Sequence, residues 1–157
     1  MLTMTWLFGE RDDLTDAYAI RREVFIEEQN VSEADEYDGT DGGCIHLVMY
    51  EGDTPVSTGR IMITRDDFIL GRIATIKSHR GRGIGAGVVQ TLIDACVQMG
   101  GDRQILHSQT HAISFYEKLG FTCYGEEFYD AGIPHVAMEH FGGNPGCAGC
   151  QARKAKE

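Results

Sequence analysis

The stretch HRGRGIGAGV, residues 79–88, brings four glycines and two arginines together in a chain whose formal net charge is −10. It follows the strand-like segment GRIATI and precedes an apolar helical pattern, so we expect it to open a helix. A helix start offers unpaired backbone N–H groups and partial positive charge, and glycines let an anion approach the backbone closely. The pattern therefore predicts a site for a phosphorylated cofactor.

Two other phosphate-binding motifs can be compared with the same stretch. A Walker A loop ends in Gly-Lys-Ser/Thr, whereas Gly85 is followed here by Ala86, which argues against nucleotide hydrolysis. The spacing of Gly81, Gly83 and Ala86 matches the dinucleotide fingerprint. Asp102 lies near the distance of its ribose-binding acid, but that acid should close a strand and Asp102 precedes one. A dinucleotide-binding oxidoreductase is the alternative that this match leaves open.

Strand-like and helical patterns alternate around the loop and predict an α/β fold, a mixed sheet flanked by helices, within one domain over residues 1–141. An acidic, glycine-ended stretch after the first helix predicts a long loop with a short helical turn. The tail, residues 142–157, lacks apolar periodicity and is expected to be loose. The predicted strands are 3–8, three pieces between 44 and 76, about 103–108, 121–129 and 133–140; the predicted helices run from an N-cap at Asp12 or Asp13 to about Glu27, from Ile84 to about Met99, and over about 111–119.

Composition narrows the class of protein. The 157 residues, 42% of them hydrophobic, suit one globular domain. The net charge of −10 argues against nucleic-acid binding and suits a cationic small substrate. No apolar run is long enough for a membrane helix, and the first eight residues do not resemble a signal peptide, so we expect a cytoplasmic protein. Five cysteines, an odd number, argue against a disulfide framework, and Cys96 and Cys123 are expected in the core.

The pattern Arg80-x-x-Gly83-x-Gly85 after a strand resembles the pyrophosphate-binding motif of the GNAT acetyltransferases. The segment AISFYEKLGF, residues 112–121, resembles the second signature of that family at the expected distance downstream. The predicted order of elements agrees over about residues 3–140. The segments AYAIRREVFIEEQNV, HLVMYEGDTPVSTGRI, GRIATI and GEEFYDAGIPHVAM are similar to the YjcF/ElaA-like branch.

This resemblance implies an N-acetyltransferase that moves an acetyl group from acetyl-CoA to an amine in a ternary complex. It assigns Tyr116 as the acid that protonates the departing thiolate; the alternative is that this ring only packs on the sheet. Gln109 stands where many relatives carry Asn, and Thr75 where they usually carry Val. The cofactor-binding residues implied are Ile73, Ala74, Thr75 and Ile76 of the strand, Arg80, Gly81, Arg82, Gly83, Ile84, Gly85 and Ala86 of the loop, and Gln109 and Tyr116.

These patterns specify fewer of the residues that would bind the acceptor amine. A protonated primary amine needs a base, and His46 is our candidate, with Glu27, Glu28 and His107 also in suitable positions. Glu27 and Glu28, with the acids of the loop that follows, are predicted either to attract a cationic acceptor or to form a solvated surface.

Arg72 is expected to bind a substrate carboxylate or to pair with an internal acid such as Glu27. Cys147-x-x-Cys150 suggests a metal site with His135 and His140, but the odd spacing of the two histidines places them on opposite faces of one strand, so we expect no metal.

The expected partners follow from this reading. They are acetyl-CoA and a small-molecule amine or peptide acceptor, with no nucleic acid and no membrane. A homodimer is a further expectation from relatives. The rival class is a non-catalytic acyl-CoA binder or sensor, in which the pyrophosphate loop works without an amine pocket; the role of Tyr116 separates the two.

Overall fold

The structure, a computed structural model, describes residues 1–65 and 67–142. Within this described part, no helix is long and apolar enough to cross a membrane. The strands are β1 (Leu2–Phe8), β2 (Cys44–Glu51), β3 (Thr54–Ile63), β4 (Phe68–Thr75), β5 (Arg103–Gln109), β6 (Thr122–Asp130) and β7 (Ile133–Phe141). The α-helices are α1 (Thr15–Arg21), α2 (Glu33–Glu36), α3 (Ile84–Gln98) and α4 (Ile113–Glu117), and a π-helix, Arg22–Glu28, continues α1.

The strands form a mixed seven-stranded sheet in the order β1-β2-β3-β4-β5-β7-β6. The pairs β1/β2, β2/β3, β5/β7 and β6/β7 are antiparallel, whereas β4 and β5 are parallel. This confirms the predicted α/β class with a mixed sheet. The chain divides into two compact units: unit 1 comprises Met1–Met62 and Gly71–Leu92, and unit 2 comprises Ile63–Leu70 with the described part of Ile93–Glu157.

In unit 1, α3 begins directly after the glycine-rich loop and packs on β3. Its apolar positions Ile84, Val88, Val89 and Leu92 are buried, as the helical spacing predicts. Gly59 of β3 makes this packing close, because a Cβ at that position would lie only 2.7 Å from Cδ1 of Leu92. The core of unit 1 therefore holds the first residues of α3 in a set position.

The first helix differs from the prediction at both ends. Its N-cap residue is Leu14, not Asp12 or Asp13, although Oδ1 of Asp13 accepts a hydrogen bond from the backbone N–H of Thr15 at 3.0 Å. After Arg21 the helix widens into the seven-residue π-helix, which ends at Glu28, one residue after the predicted end. Sequence periodicity did not reveal this widening. Helices of this type are rare and occur often at functional sites.

In unit 2, β5 pairs with β7 and β7 with β6, and Leu106 and Met138 lie in the core. The expectation of Cys123 in the core is wrong: this side chain is exposed, because β6 is the edge strand of the sheet, whereas Cys96 is buried. The predicted loose tail and the CxxC motif of Cys147 and Cys150 fall in residues 143–157, which lie outside the described residues.

Candidate active site

The glycine-rich loop of unit 1 has the backbone that an anion site requires. Gly81 and Gly83 have φ angles of +77° and +76°, in the left-handed region that favours glycine. An added Cβ at either position would meet no described atom within 4 Å, so backbone conformation explains these glycines, not crowding. The N–H of Gly87 donates to the carbonyl of Gly83 at 3.0 Å, and the amides before it, at the first positions of α3, have no carbonyl of the preceding turn to bind.

The loop arginines are held by two carboxylates of unit 1. Arg80 forms a bidentate pair with Glu28, at 2.7 and 2.6 Å, and its Nε donates to the carbonyl of Thr75 at 2.9 Å. Arg82 donates to Glu51 at 2.7 Å. The hydrogen bonds from Arg80 lower the pKa of Glu28. Glu28, a candidate for the acceptor end from sequence, is therefore brought to the loop, while Glu27 is exposed.

Glu51 is a residue that sequence reasoning missed. His79 also contacts this carboxylate, since Nε2 of His79 lies 3.1 Å from Oε1 of Glu51. Hydrogen bonds from Arg82 and His79 lower the pKa of Glu51. In the sequence, Glu51 stands beside Gly52 in a turn-like connection, and nothing in the spacing links it to Arg82. The antiparallel pairing of β1 with β2 and β2 with β3 is what carries this carboxylate to the loop.

The end of β4, the predicted cofactor strand, leaves the parallel ladder early. Pairing with β5 covers only Phe68–Leu70, so β4 runs on for five residues past its last paired position. Within that extension Arg72 has a φ of +49°, which is unusual for a residue with a side chain. The carbonyl of Ala74 accepts from Ser57 Oγ at 3.0 Å, and the N–H of Ile76 donates to Val56 at 3.0 Å.

Tyr116 of α4, the predicted acid, lies in unit 2. Its side chain packs edge-on against Phe115 and Phe121, with ring centroids 5.0 and 5.9 Å away. The residue is 9% exposed, and burial raises the pKa of its phenol well above the ordinary value. Among the described residues no hydrogen bond to its hydroxyl is found, and that oxygen is not one of the fully buried unpaired polar atoms. The phenol is therefore protonated at neutral pH and able to donate.

Gln109, the other unit 2 residue with a predicted cofactor contact, ends β5. Its Oε1 lies 2.5 Å from Nε2 of His111, in the turn of 3₁₀-helix that leads into α4. The side chain is thus tied to the segment that carries Tyr116. A pantetheine contact by Gln109 remains a prediction.

His46, the candidate base, is enclosed in unit 1. It is 1% exposed, its Nε2 lies 3.1 Å from the carbonyl oxygen of Asp41, and burial lowers its pKa. A general base must come within hydrogen-bonding distance of the amine, and a ring so enclosed has no open side for that. The geometry therefore argues against His46 as the base and makes it part of a buried polar cluster.

That buried cluster ties the acidic loop to the sheet of unit 1. Arg21, 1% exposed, donates to Glu36 at 2.7 Å and to Asp41 at 2.8 and 3.0 Å, and Arg60 donates to Asp41 at 2.7 Å. Although burial opposes it, hydrogen bonds from Arg21 and Arg60 hold the pKa of Asp41 below its ordinary value. The loop acids Glu36 and Asp41 are consequently neither solvated nor free to attract a cation.

Arg72 also belongs to this cluster. Its Nε lies 3.0 Å from Glu36, its terminal nitrogen lies 3.6 Å from Asp38, and it donates to the backbone carbonyls of Asp35 and Glu36. The internal pair expected for Arg72 exists, but its partner is Glu36 and not Glu27. Sequence offered one signal for the cluster. Arg21 and Arg60 occupy positions of the helix and strand patterns where the neighbouring apolar residues are buried.

A mixed sheet whose fourth strand leads into a glycine- and arginine-rich helix start is the architecture expected of an acyltransferase. The model of the acetyltransferase (GNAT) domain matches residues 10–140. A Bacillus subtilis protein named "Uncharacterized N-acetyltransferase YjcF" is 41% identical over 128 residues, which cover 81% of this chain and 91% of that protein. The chain therefore belongs to the GNAT acetyltransferase family.

Solved structures agree with this assignment. The crystal structure of Escherichia coli ElaA has a TM-score of 0.80 and 26% identity, and the match covers 89% of this chain and 99% of that one. An acyl-CoA N-acyltransferase from Pseudomonas aeruginosa has the same fold, with a TM-score of 0.80, 24% identity, and coverage of 89% and 99%. The resemblance seen in the two sequence motifs is thus confirmed.

Proposed function

We propose that the protein transfers an acetyl group from acetyl-CoA to the amine of a small molecule or peptide, by direct attack in a ternary complex. The observation that carries this proposal is the left-handed glycine loop at the start of α3, whose amides and arginines suit a pyrophosphate. Family membership supports acyl-CoA as the donor. The net charge of −10 favours a cationic acceptor.

On this proposal, unit 1 holds the donor. Residues 80–86 would bind the pyrophosphate, and those backbone groups of Ile73–Ile76 that are not bonded to β3 or to Arg80 would pair with the pantetheine arm. A backbone N–H of that strand would also stabilise the oxyanion that forms when the amine attacks the thioester carbonyl. Arg72 would act on the acceptor indirectly, by holding the acidic loop, while the exposed Glu27 would attract the ammonium group.

Tyr116 would be the acid. When the tetrahedral intermediate collapses, the carbon–sulfur bond breaks and the thiolate takes a proton from Tyr116. The raised pKa of the phenol keeps that proton in place until the thiolate forms.

Thiol release tests this function. Acetyl-CoA is mixed with polyamines, amino sugars, amino acids and short peptides, and free CoA is followed with a chromogenic reagent against a blank without acceptor. Release with one class of acceptor would establish the reaction and its substrate class. Coenzyme binding in calorimetry, without release from any acceptor, would favour the non-catalytic acyl-CoA binder instead. Stabilisation by NAD but not by CoA in a thermal shift would favour the dinucleotide alternative.

Neutralising Glu28 is expected to strengthen coenzyme binding. Its carboxylate occupies both terminal nitrogens of Arg80 and would repel a pyrophosphate, so Glu28→Gln should lower the CoA dissociation constant. Because exposed ion pairs contribute about 0.2–1 kcal/mol, the expected change is about 1.5- to 5-fold, measured by calorimetry.

Glu33→Gln is the matched control for this variant, since it removes an exposed carboxylate that pairs with Arg22 in the same unit. The control should leave CoA binding unchanged. Weaker binding in Glu28→Gln would instead show that Glu28 positions Arg80 for the phosphate.

We further propose a cytoplasmic location and a homodimer. The odd number of cysteines and the reduced state that it suggests support the first. Light scattering of the full chain at micromolar concentration tests the second.

A further inference from the structure

Strand β1 of unit 1 is an edge strand that carries an apolar stripe exposed to solvent. It stands first in the sheet order and pairs with β2 on one side only. Side chains alternate along a strand, so the even-numbered residues share one face. Four of them, Leu2, Met4, Trp6 and Phe8, are 47, 42, 37 and 41% exposed. A contiguous apolar patch of this kind marks an interaction site, and the proposed reaction uses none of these residues.

The sequence of β1 lacks the features that protect an edge strand. The segment LTMTWLF contains no charged residue, no proline and no glycine. Its register with β2 runs without a bulge from Leu2 to Phe8. Natural edge strands carry such features because unpaired backbone groups otherwise attract another strand. The open edge of β1 is therefore suited to pairing with a further strand.

Backbone hydrogen bonds at the two ends of β1 show which of its groups face the open edge. The N–H of Gly9 donates to the carbonyl of Cys44 at 3.0 Å, and the N–H of Gly52 donates to the carbonyl of Met1 at 3.1 Å. In an antiparallel pair, residues that bond to the partner strand recur at every second position. The odd-numbered residues of β1 therefore bond to β2, and the even-numbered residues direct their N–H and C=O groups outward.

One even-numbered residue, Phe8, is closed by its own chain. Its N–H donates to Oδ2 of Asp12 at 2.7 Å, and its carbonyl accepts from the N–H groups of Arg11 and Asp12. The Arg11 guanidinium also lies 4.4 Å from the centroid of the Phe8 ring. Among the described residues, no hydrogen bond is found to the outward backbone groups of the other three. Met4 is the central residue of those three.

We propose that β1 is a homodimer interface, in which the β1 edges of two copies pair antiparallel about a two-fold axis at Met4. This proposal deepens the homodimer proposed above and does not depend on acetyl transfer. In this register Met4 lies opposite Met4 of the partner subunit, and Leu2 lies opposite Trp6 of the partner subunit. Each outward N–H and C=O group of the three residues then meets a partner group across the axis.

A second copy fits this edge better than an unrelated strand. Identical strands that pair antiparallel about a two-fold axis are self-complementary, so the assembly closes with two chains. The apolar stripes of both copies then lie on the same face of the joined sheet, where directly opposite side chains contact each other. On the other face Thr3 lies opposite Thr5 of the partner subunit. Because residues 2–8 carry no charge, the net charge of −10 on each chain places no like charges in contact along the paired strands.

The size of the stripe predicts a weak dimer. A large side chain offers about 200 Å² when it is free, so four residues that are each about 40% exposed offer about 300–350 Å² per copy. A standard interface buries about 800 Å² per partner. We therefore expect a dissociation constant in the micromolar range and a dimer that depends on concentration.

Analytical ultracentrifugation of the full chain over about 1–200 µM tests this interface. The mass of the wild type is expected to rise with concentration from that of one 17.3 kDa chain toward twice that value. Met4→Lys places two ammonium groups opposite each other at the axis, and Met4→Glu places two carboxylates there. Each variant should weaken the dimer by about 100-fold or more and remain monomeric over this range.

Mixing the two variants tests the register. In an equimolar mixture, the ammonium group of Met4→Lys lies opposite the carboxylate of Met4→Glu only if position 4 pairs with itself. The mixture should therefore dimerise again. This rescue would also show that both variants are folded.

Tyr129→Lys is the matched control, because Tyr129 is 78% exposed and lies on β6, the opposite edge strand of the sheet. It should leave the dimer unchanged. A dimer that persists in Met4→Lys, or one that is lost in Tyr129→Lys instead, would overturn the assignment of β1, as would a mixture that stays monomeric. A wild type that is monomeric throughout would overturn the homodimer as well. Thiol release tests acetyl transfer separately, so the two proposals can fail independently.

Discussion

Tyr116→Phe is expected to lower kcat by about 10²- to 10⁴-fold and to leave the CoA dissociation constant within about twofold of the wild-type value. The substitution removes only the hydroxyl, and the ring that packs against Phe115 and Phe121 is retained. Binding and stability should therefore persist while the thiolate loses its proton donor. Thiol release gives kcat, and calorimetry gives the dissociation constant.

Tyr129→Phe is the matched control, because Tyr129 is 78% exposed and lies in the same unit. It should leave kcat unchanged. Unchanged turnover in Tyr116→Phe would refute the acid role and favour the view that this ring only packs on the sheet.

The pH dependence of kcat that Tyr116 causes follows from the burial of its side chain. Because burial raises the pKa of Tyr116, its phenol loses its proton only above the ordinary tyrosine value of about 10. We therefore expect no alkaline fall in kcat from this group below about pH 10.

The second large effect concerns stability. Arg21→Met is expected to lower the free energy of unfolding by about 3–5 kcal/mol, because it leaves Glu36 and Asp41 buried beside an apolar side chain. For a chain of this size such a loss corresponds to about 6–20 °C in Tm. Urea denaturation followed by circular dichroism measures it.

The neighbouring residue supplies the control. Arg22 pairs with Glu33 at the surface, so Arg22→Met should cost less than about 1 kcal/mol. Similar losses of stability in Arg21→Met and Arg22→Met would show that burial does not increase the contribution of the Arg21 ion pairs to stability.

Acid should weaken the same cluster. Asp41 has a lowered pKa in the folded protein, so its contribution to stability is present above the unfolded value of about 3.9 and is lost as pH falls through the folded value. Asp41→Asn should remove part of this pH dependence. A wild-type stability that is flat down to pH 3 would contradict the arrangement.

Local patterns account for what the sequence predicted correctly. Residues close together in sequence determine glycine conformation, helical spacing and strand-like runs. These local features predicted the loop at residues 79–88, the start of α3 and the seven strands. The shorter α4 and the π-helix were missed because their bounds depend on packing, to which periodicity is insensitive.

By itself the sequence determined the fold class, the glycine-rich helix start and the family signatures, since each is written in residues close together along the chain. Only the tertiary structure decided which charges meet. Glu28 reaches Arg80 across 52 positions, and Asp41 reaches Arg21 across 20. It also enclosed His46, exposed Cys123 on an edge strand, and left His107 open beside Phe128. Such contacts join distant segments through strand pairing and burial, and a single sequence does not record which of its many acids and bases fold together.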